Sequence, residues 1–266
     1  MKYYVVADIH GFYDLTVIAL AEKGFFTDTE PHKLIICGDL FDRGKQSKQL
    51  CNFVLGLLEQ NEVILIRGNH EDLLVDFIDN LSMYAESGLQ YNHHYSNGTV
   101  QTVRDLTGST ITKMSMYPGA TAARMRHSDL FKIILPAMKD YFETQNYIFV
   151  HGWIPSVANR INGADRYSYN PEWRNANDAD WASARWYNGM LAAHQGVIEP
   201  GKTIFCSHWN SSFGHSAYEG KGSEYGNDAD FSPYFGKGII ALDACTAYSR
   251  QVNCIVIEDE DLTGDR

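Results

Sequence analysis

No run of about eighteen apolar residues occurs in this chain of 266 residues, so no segment reads as a membrane-spanning helix. The N-terminus enters a strand-like segment, Lys2 to Ala7, without a basic flank and an apolar signal region, and the expectation is a soluble, unexported, cytoplasmic protein. Cysteine is scarce. The five present, Cys37, Cys51, Cys206, Cys245 and Cys254, are odd in number, widely spaced and mostly set in apolar runs. That pattern argues for buried reduced thiols rather than a disulfide framework or a thiolate metal site. Positive charge is also short: 22 Lys and Arg against 33 Asp and Glu give a formal net charge of -11. A stable polyanionic partner such as nucleic acid is disfavoured, because such affinity rests on cationic side chains neutralising phosphates. Nucleotide-sized substrates stay open, since a local metal pair can outweigh the global field. Internal repeats, low-complexity linkers and composition breaks are missing too, so residues 1–266 are expected to form a single domain.

What is present is an ordinary apolar share of 44%, enough for a sizeable core. Tyr3 to Ala7, Leu34 to Cys37 and Val63 to Ile66 are short continuous apolar runs, the pattern of strands buried on both faces. Leu50, Phe53, Val54, Leu57 and Leu58 fall at helical spacing between the second and third, which makes a βαβ unit. Leu73, Leu74, Phe77, Ile78 and Leu81 describe another helix, expected to begin just after Glu71 and Asp72, whose charges suit a helix N-terminus. Residues 82–138 read as a mostly helical insertion. Tyr141 to Thr144 and Tyr147 to Val150 flank Gln145-Asn146 as a hairpin without the usual glycine. Later strands are Thr203 to Cys206, Gly238 to Leu242 and Val252 to Ile257. The stretches 155–200 and 210–236 read as long loops, and 258–266 as an acidic, frayed tail. The class is α/β.

Five of these strands run into an acid, amide or imidazole: Asp8-Ile9-His10, Asp39, Asn69, His151 and His208. In open α/β sheets ligands bind beyond the carboxyl ends of the strands, so the placement points to a site. Two Asp, three His and one Asn offer hard oxygen and borderline nitrogen donors with no thiolate, which suits Mn, Fe or Zn. Taken singly, each signal is weak, because a strand-end Asp is more often a turn or cap. Together, Asp8-x-His10-Gly11, Gly38-Asp39-x-x-Asp42-Arg43-Gly44 and Gly68-Asn69-His70-Glu71 occur in order, about thirty residues apart, each after a buried strand.

In these blocks the chain resembles the phosphoprotein-phosphatase branch of the calcineurin-like metallophosphoesterases, whose signatures read GDxHG, GDxxDRG and GNHE. Ala7 stands in place of the first Gly; the other two blocks match in full. The resemblance continues through Asn97-Gly98-Thr99, Tyr147 to Gly152, Gly201 to His208 and Leu242-Asp243, and bacterial and phage members look most similar. It implies a central β-sandwich of mixed sheets flanked by helices. It also implies two divalent ions, Mn foremost with Fe, Zn, Ni, Co or Mg as others: one on Asp8, His10 and Asp39, the second on Asp39, Asn69, His151 and His208. Asp39 would bridge, because a carboxylate offers two oxygens. A water between two such ions loses its proton near neutral pH and can attack in line. His70 would be the general acid, oriented by Asp42. Arg43, Asn69 and Arg185 would hold the phosphoryl group.

The resemblance implies a hydrolase of phosphate monoesters, most readily a bacterial-type serine/threonine protein phosphatase acting on a phosphoprotein or small phosphoester. Alternatives are a symmetrical dinucleoside tetraphosphate hydrolase, a small-molecule or nucleotide phosphatase, and a non-catalytic metal-binding scaffold. Departures from the family pattern lie on the substrate side: Ser207-His208-Trp209 for Gly-His-Thr, and Asp243-Ala244-Cys245 where Thr-Gly usually follows the Asp. Ser183 replaces the Trp expected two residues ahead of Arg185. Asp243 reads as structural. His32, His93, His94, His127, His194 and His215 sit in polar segments and read as solvated, with His93, His94 or His215 able to reach the site from loops. Trp153, Trp173, Trp181, Trp186 and Trp209 read as core or loop packing, with a base-stacking role as the other reading.

Overall fold

Short continuous apolar runs set the architecture of this protein, whose computed structural model describes residues 1–161 and 163–260. The strands are β1 (Lys2–Val6), β2 (His32–Cys37), β3 (Val63–Ile66), β4 (Phe142–Glu143), β5 (Tyr147–Phe149), β6 (Val157–Ile161), β7 (Ala164–Ser168), β8 (Thr203–Cys206), β9 (Tyr234–Gly236), β10 (Ile239–Ala241) and β11 (Cys254–Glu258). Along β1, Tyr3 and Val5 enter one buried cluster while Tyr4 and Val6 enter another. Both faces of the strand are therefore covered, as its unbroken apolar sequence requires.

One sheet has the order β11-β1-β2-β3, with β1, β2 and β3 parallel and β11 antiparallel at the edge. The other has the order β4-β5-β8-β10-β9, with β5, β8 and β10 parallel between two antiparallel edges. Tyr3, Val5, Ile35 and Cys37 of the first meet Phe142, Phe149, Phe205 and Leu242 of the second in one buried layer. Phe149 and Phe205 stack there with centroids 5.1 Å apart. Each such fully buried ring contributes roughly 1.5–3 kcal/mol of transfer free energy. The α/β sandwich of mixed sheets is thus the observed fold. Helices cover its outer faces, among them Ser47–Glu59 and Asn69–Asp79 on the first sheet.

Helices also fill the expected insertion, from Leu81–Ser87 to Leu135–Ala137. They pack Leu81, Leu89, Val100, Val103, Met114, Met125 and Ile134 onto the same cluster as Leu74 and Phe77. Three boundaries differ from the sequence reading. The helix expected after Asp72 begins at Asn69, because the Glu71 carboxylate accepts the Gly68 N–H at 2.8 Å and caps it from its third position. The β4–β5 hairpin pairs Phe142 with Phe149, and Thr144 belongs to the turn. Asp259 holds that turn through Thr144 Oγ1 and both amide nitrogens of Asn146, which replaces the missing glycine. Residues 155–200 are not a loop but contain the β6–β7 ribbon and two short helices, Asp178–Ala184 and Gly189–His194. Of the acidic tail, Glu258 ends β11, and residues 261–266 lie outside the described residues. Among the described residues no helix is long and apolar enough to cross a membrane.

Candidate metal centre

Asp8, Asp39, His151, His208 and Asp243 each lie two residues beyond the last residue of a parallel strand, and Asn69 three beyond β3. The chain turns sharply at these ends. Asp8, His10, Asp39, Asp42, Arg43 and His208 all hold positive φ, between 45° and 72°. Left-handed backbone at non-glycine residues costs of order 1 kcal/mol or more each and gathers at functional sites. Close approach adds glycine requirements: a Cβ at Gly68 would collide with Asp39 Oδ1, and one at Gly98 with the Arg43 nitrogen.

Asp39 is the hub of the donors. Its Oδ2 lies 3.7 Å from His10 Nε2 and 3.9 Å from His70 Nε2, and its Oδ1 lies 3.4 Å from His151 Nε2. Two donor groups share it, His10–Asp39–His70 and Asp39–His151–His208, each with its donor atoms within 4.8 Å of one another. Asp8 Oδ1 stands 4.0 Å from His10 Nε2, and Asp8 Oδ2 accepts the His208 N–H at 3.2 Å. Asn69 Oδ1 sits 2.8 Å from His151 Nε2. The six expected ligands are therefore brought together. His10 Nδ1 faces the Phe41 carbonyl and His151 Nδ1 the Cys37 carbonyl, each at 2.9 Å. In the tautomers that donate those protons, both Nε2 lone pairs turn inward. His151 Nε2 and Asn69 Oδ1 are then two lone pairs face to face, an arrangement a shared cation satisfies and a hydrogen bond does not.

The electrostatics fit cations as well. Burial, with Asp243 and Asp39 nearby, pushes the Asp8 carboxyl well above its ordinary range. Burial also raises Asp243, to about 6. Burial lowers His10 well below its ordinary value, with Arg43 adding to the effect, and lowers His208 to about 3 with help from His151. At Asp39 burial acts upward, and the surrounding imidazoles, His151 foremost, overcome it and hold the carboxyl low. Buried carboxylates short of counter-charge beside neutral imidazoles are a donor set for divalent ions of borderline hardness.

Beside these donors lies a polar chain. His70 Nδ1 contacts Asp42 Oδ2 at 2.8 Å, and Thr99 and Thr102 donate their hydroxyls to Asp42 Oδ2 and Oδ1, each at 2.7 Å. Burial pulls the His70 imidazole down, but Asp39 and Asp42 outweigh it, so its pKa ends above the ordinary value. Arg43 lays its guanidinium between His10 Nε2, at 2.7 Å, and His70 Nε2, at 3.0 Å. Arg185 is buried and paired with Asp72 at 2.7 Å through Nε and with Asp140 at 2.6 Å through a terminal nitrogen. Its neighbour Trp186 is 50% exposed and meets the His208 ring edge-on at 5.5 Å.

Two residues with other readings from sequence, Asp243 as structural and Glu71 as a helix-terminal charge, also border the site. Asp243 stands beside Asp8 at the end of β10, and its matching position after a strand was the available signal. Glu71 accepts backbone N–H groups from Gly68, Asp39 and Leu40 at 2.8, 3.0 and 2.9 Å, tying two signature loops together. Other candidates lie elsewhere. His215 is buried, with its ring nitrogens near Glu219 and the Ser232 carbonyl. His93 and His94 lie in the helical insertion beside Asp76. His94 and His215 are therefore buried rather than solvated, because each ring has an acidic partner. Trp153, Trp173 and Trp181 are core residues.

Residues 1–231 match the calcineurin-like phosphoesterase family. The chain belongs to that family. Over 96 residues it is 31% identical to a protein of Anoxybacillus flavithermus named bis(5'-nucleosyl)-tetraphosphatase PrpE [asymmetrical], covering 34% of this chain and 39% of that one. Over 92 residues it is 37% identical to serine/threonine-protein phosphatase 2 of Salmonella typhimurium, with the same coverage. The chain thus spans about two fifths of the length of these relatives. The crystal structure of a cold-active protein tyrosine phosphatase shares its fold, with a TM-score of 0.51 and 15% identity over 97% of this chain and 73% of that one.

Proposed function

We propose that this chain is a metal-dependent phosphoric ester hydrolase acting on phosphate monoesters, with a phosphoprotein of the serine/threonine type as its principal substrate class. The observation that carries the reading is Asp39, one carboxylate shared by two imidazole-containing donor groups. Asp8, His10 and Asp39 would hold one divalent ion, and Asp39, Asn69, His151 and His208 a second. Bound there, such ions supply Lewis acidity toward phosphoryl oxygens and an activated water.

The chain's own residues have the remaining tasks. His70 gives its proton to the leaving oxygen, and Asp42 beneath it favours the charged imidazolium beforehand. The Arg43 guanidinium contacts two Nε2 atoms, those of His10 and His70, directly. A ligand on His10 Nε2 takes the lone pair Arg43 now uses, which releases the guanidinium fork for phosphoryl oxygens. Asn69, on the first turn of the helix Asn69–Asp79, adds an amide to the phosphate side. Arg185 is held by Asp72 through Nε and by Asp140 through one terminal nitrogen, so as a clamp it offers its other terminal nitrogen or draws substrate into competition with those carboxylates.

A dinucleoside tetraphosphate is the second reading, supported by the name of the Anoxybacillus flavithermus relative and by half-exposed Trp186 beside His208, an aromatic face suited to a base. That relative carries the asymmetrical name, whereas the resemblance in the signature blocks implies the symmetrical reaction as the alternative. Turnover of p-nitrophenyl phosphate, a phosphoserine peptide and diadenosine tetraphosphate with Mn²⁺ separates the readings. Monoester and phosphopeptide hydrolysis dominate if the first holds. Rapid cleavage of the tetraphosphate with little monoesterase turnover would replace it with the second.

A further inference from the structure

Away from the Asp39 centre, three donors meet on the helical insertion: Asp76, His93 and His94, with one donor atom from each within 4.8 Å of the others. Asp76 lies on the helix Asn69–Asp79, and the two histidines open the helix His93–Asn97. Asp76 Oδ2 stands 3.0 Å from His94 Nε2 and also accepts the Tyr84 hydroxyl at 2.7 Å, while its Oδ1 accepts Asn80 Nδ2 at 2.9 Å. These bonds fix the carboxylate. His94 is completely buried, and its Nδ1 has no hydrogen-bond partner. A core histidine normally has both ring nitrogens satisfied, so neither tautomer of this ring is fully served by the protein. The His93 ring lies 4.0 Å from it, centroid to centroid.

We propose that Asp76, His93 and His94 form an auxiliary site for a divalent cation of borderline hardness, zinc in the first instance. Two histidines and a carboxylate are a donor set zinc favours, with a fourth position left to water. Ligand atoms about 2.0–2.2 Å from one ion at a tetrahedral angle stand about 3.3 Å apart, and the three donors already lie within 4.8 Å of one another. On binding, the ion takes the His94 Nδ1 lone pair that the protein leaves unpartnered, while Nε2–H keeps its bond to Asp76 Oδ2, so the imidazole stays neutral and no proton has to move. Access is open, because His93 is exposed and the Asp76 side chain is 46% exposed. Tyr84 and Asn80 hold the carboxylate from behind, the role outer partners have at metal sites.

The site would join two parts of the phosphoesterase. Asp76 shares its helix with Asn69 and His70, while the helix His93–Asn97 leads through Gly98 to Thr99, the partner of Asp42. An ion there braces the mounting of the His70–Asp42 pair from outside the reaction centre.

The test is a metal count on the intact protein. Wild type, His93→Ala and Asp76→Asn are equilibrated with Zn²⁺, passed through a desalting column and assayed for zinc per chain by mass spectrometry. His93 is exposed, so its truncation should leave the fold intact, which a circular dichroism melt checks. Wild type should hold one more zinc per chain than either variant, whatever number the Asp39 centre binds. Equal counts in wild type and a folded His93→Ala would overturn the site. A second readout is the ¹⁵N shift of the His93 and His94 rings, recorded in Asp39→Asn to weaken the other centre. Both rings should move as Zn²⁺ is added, and unmoved rings would equally refute the proposal.

Discussion

Thr99 donates its hydroxyl to Asp42 Oδ2 at 2.7 Å across 57 positions of sequence, and the same oxygen faces His70 Nδ1 at 2.8 Å. A residue of the helical insertion therefore orients the carboxylate that orients the proposed acid. Thr99→Val keeps the side-chain shape and removes one bond from a buried carboxylate, a loss of about 1–3 kcal/mol for a charged acceptor. Because Thr99 touches neither the metal donors nor the substrate side, kcat should fall roughly tenfold with KM little changed. Thr99→Ser should restore the rate. Steady-state kinetics of the two variants decide it, and a Thr99→Val enzyme with wild-type kcat would leave the hydroxyl a packing role only.

Glu71 offers a different kind of control, since it touches backbone alone. Its two oxygens accept three N–H groups from the loops that bear Asp39 and Asn69. Glu71→Gln has one acceptor oxygen, and its amide N–H₂ must face at least one of those donors. Stability should drop by about 1–3 kcal/mol, and metal affinity by about 10–100-fold, the usual cost of losing an outer partner. Urea unfolding and a metal titration measure the two effects separately. Unchanged affinity would mean that Asp39 keeps its place without this brace.

His70 and Asp39 should fail in distinguishable ways. Asp39→Asn removes the shared carboxylate, so the metal held at this centre and turnover should be lost together in a metal analysis and a rate assay. His70→Asn should retain its metals while turnover of alkyl phosphates slows by roughly 10² or more, the range of a general acid. Esters with very good leaving groups need little protonation and should be nearly spared. A plot of log kcat against leaving-group pKa should therefore steepen in His70→Asn, and an equal loss across the series would remove the acid role.

The distribution of buried and exposed strands explains which of these features could be read in advance. Parallel strands covered on both faces leave continuous apolar runs, and the residue that ends such a run stands out. Asp8, Asp39, His151 and His208 were legible for that reason. Asp243 occupies the same position after β10, and its reading as structural reflects the departure from the family pattern in the Ala244-Cys245 that follows it. The β6–β7 ribbon left no apolar signature because it is largely exposed: in β7 only Tyr167 is buried. Its one cue was the dipeptide Asn162-Gly163, a favoured hairpin turn that the sequence reading passed over. Contacts such as Glu71 to Leu40 or Thr102 to Asp42 join residues distant in sequence, and no local pattern encodes them.

Asp259 gives a pH test remote from the metal donors. Its carboxylate receives Thr144 Oγ1 at 2.7 Å, Asn146 N at 2.8 Å and Asn146 Nδ2 at 2.7 Å, closing the β4–β5 turn. Burial acts to raise its pKa, and these hydrogen bonds outweigh it, so the folded value lies below the ordinary one. A carboxyl depressed in the folded state binds fewer protons there than in the unfolded chain. Its stabilisation is thus present above the unfolded pKa of about 3.9 and is lost as pH falls through the folded value. Asp259→Asn should cost about 1–3 kcal/mol near neutrality, because the amide keeps one acceptor oxygen and turns an N–H₂ toward donors. The gap between wild type and variant should stay constant from about pH 5 to 8 and shrink below about pH 4, as the wild-type carboxylate protonates. Urea melts across that range measure it, and a gap that widens in acid would mean that Asp259 is held as the neutral acid instead.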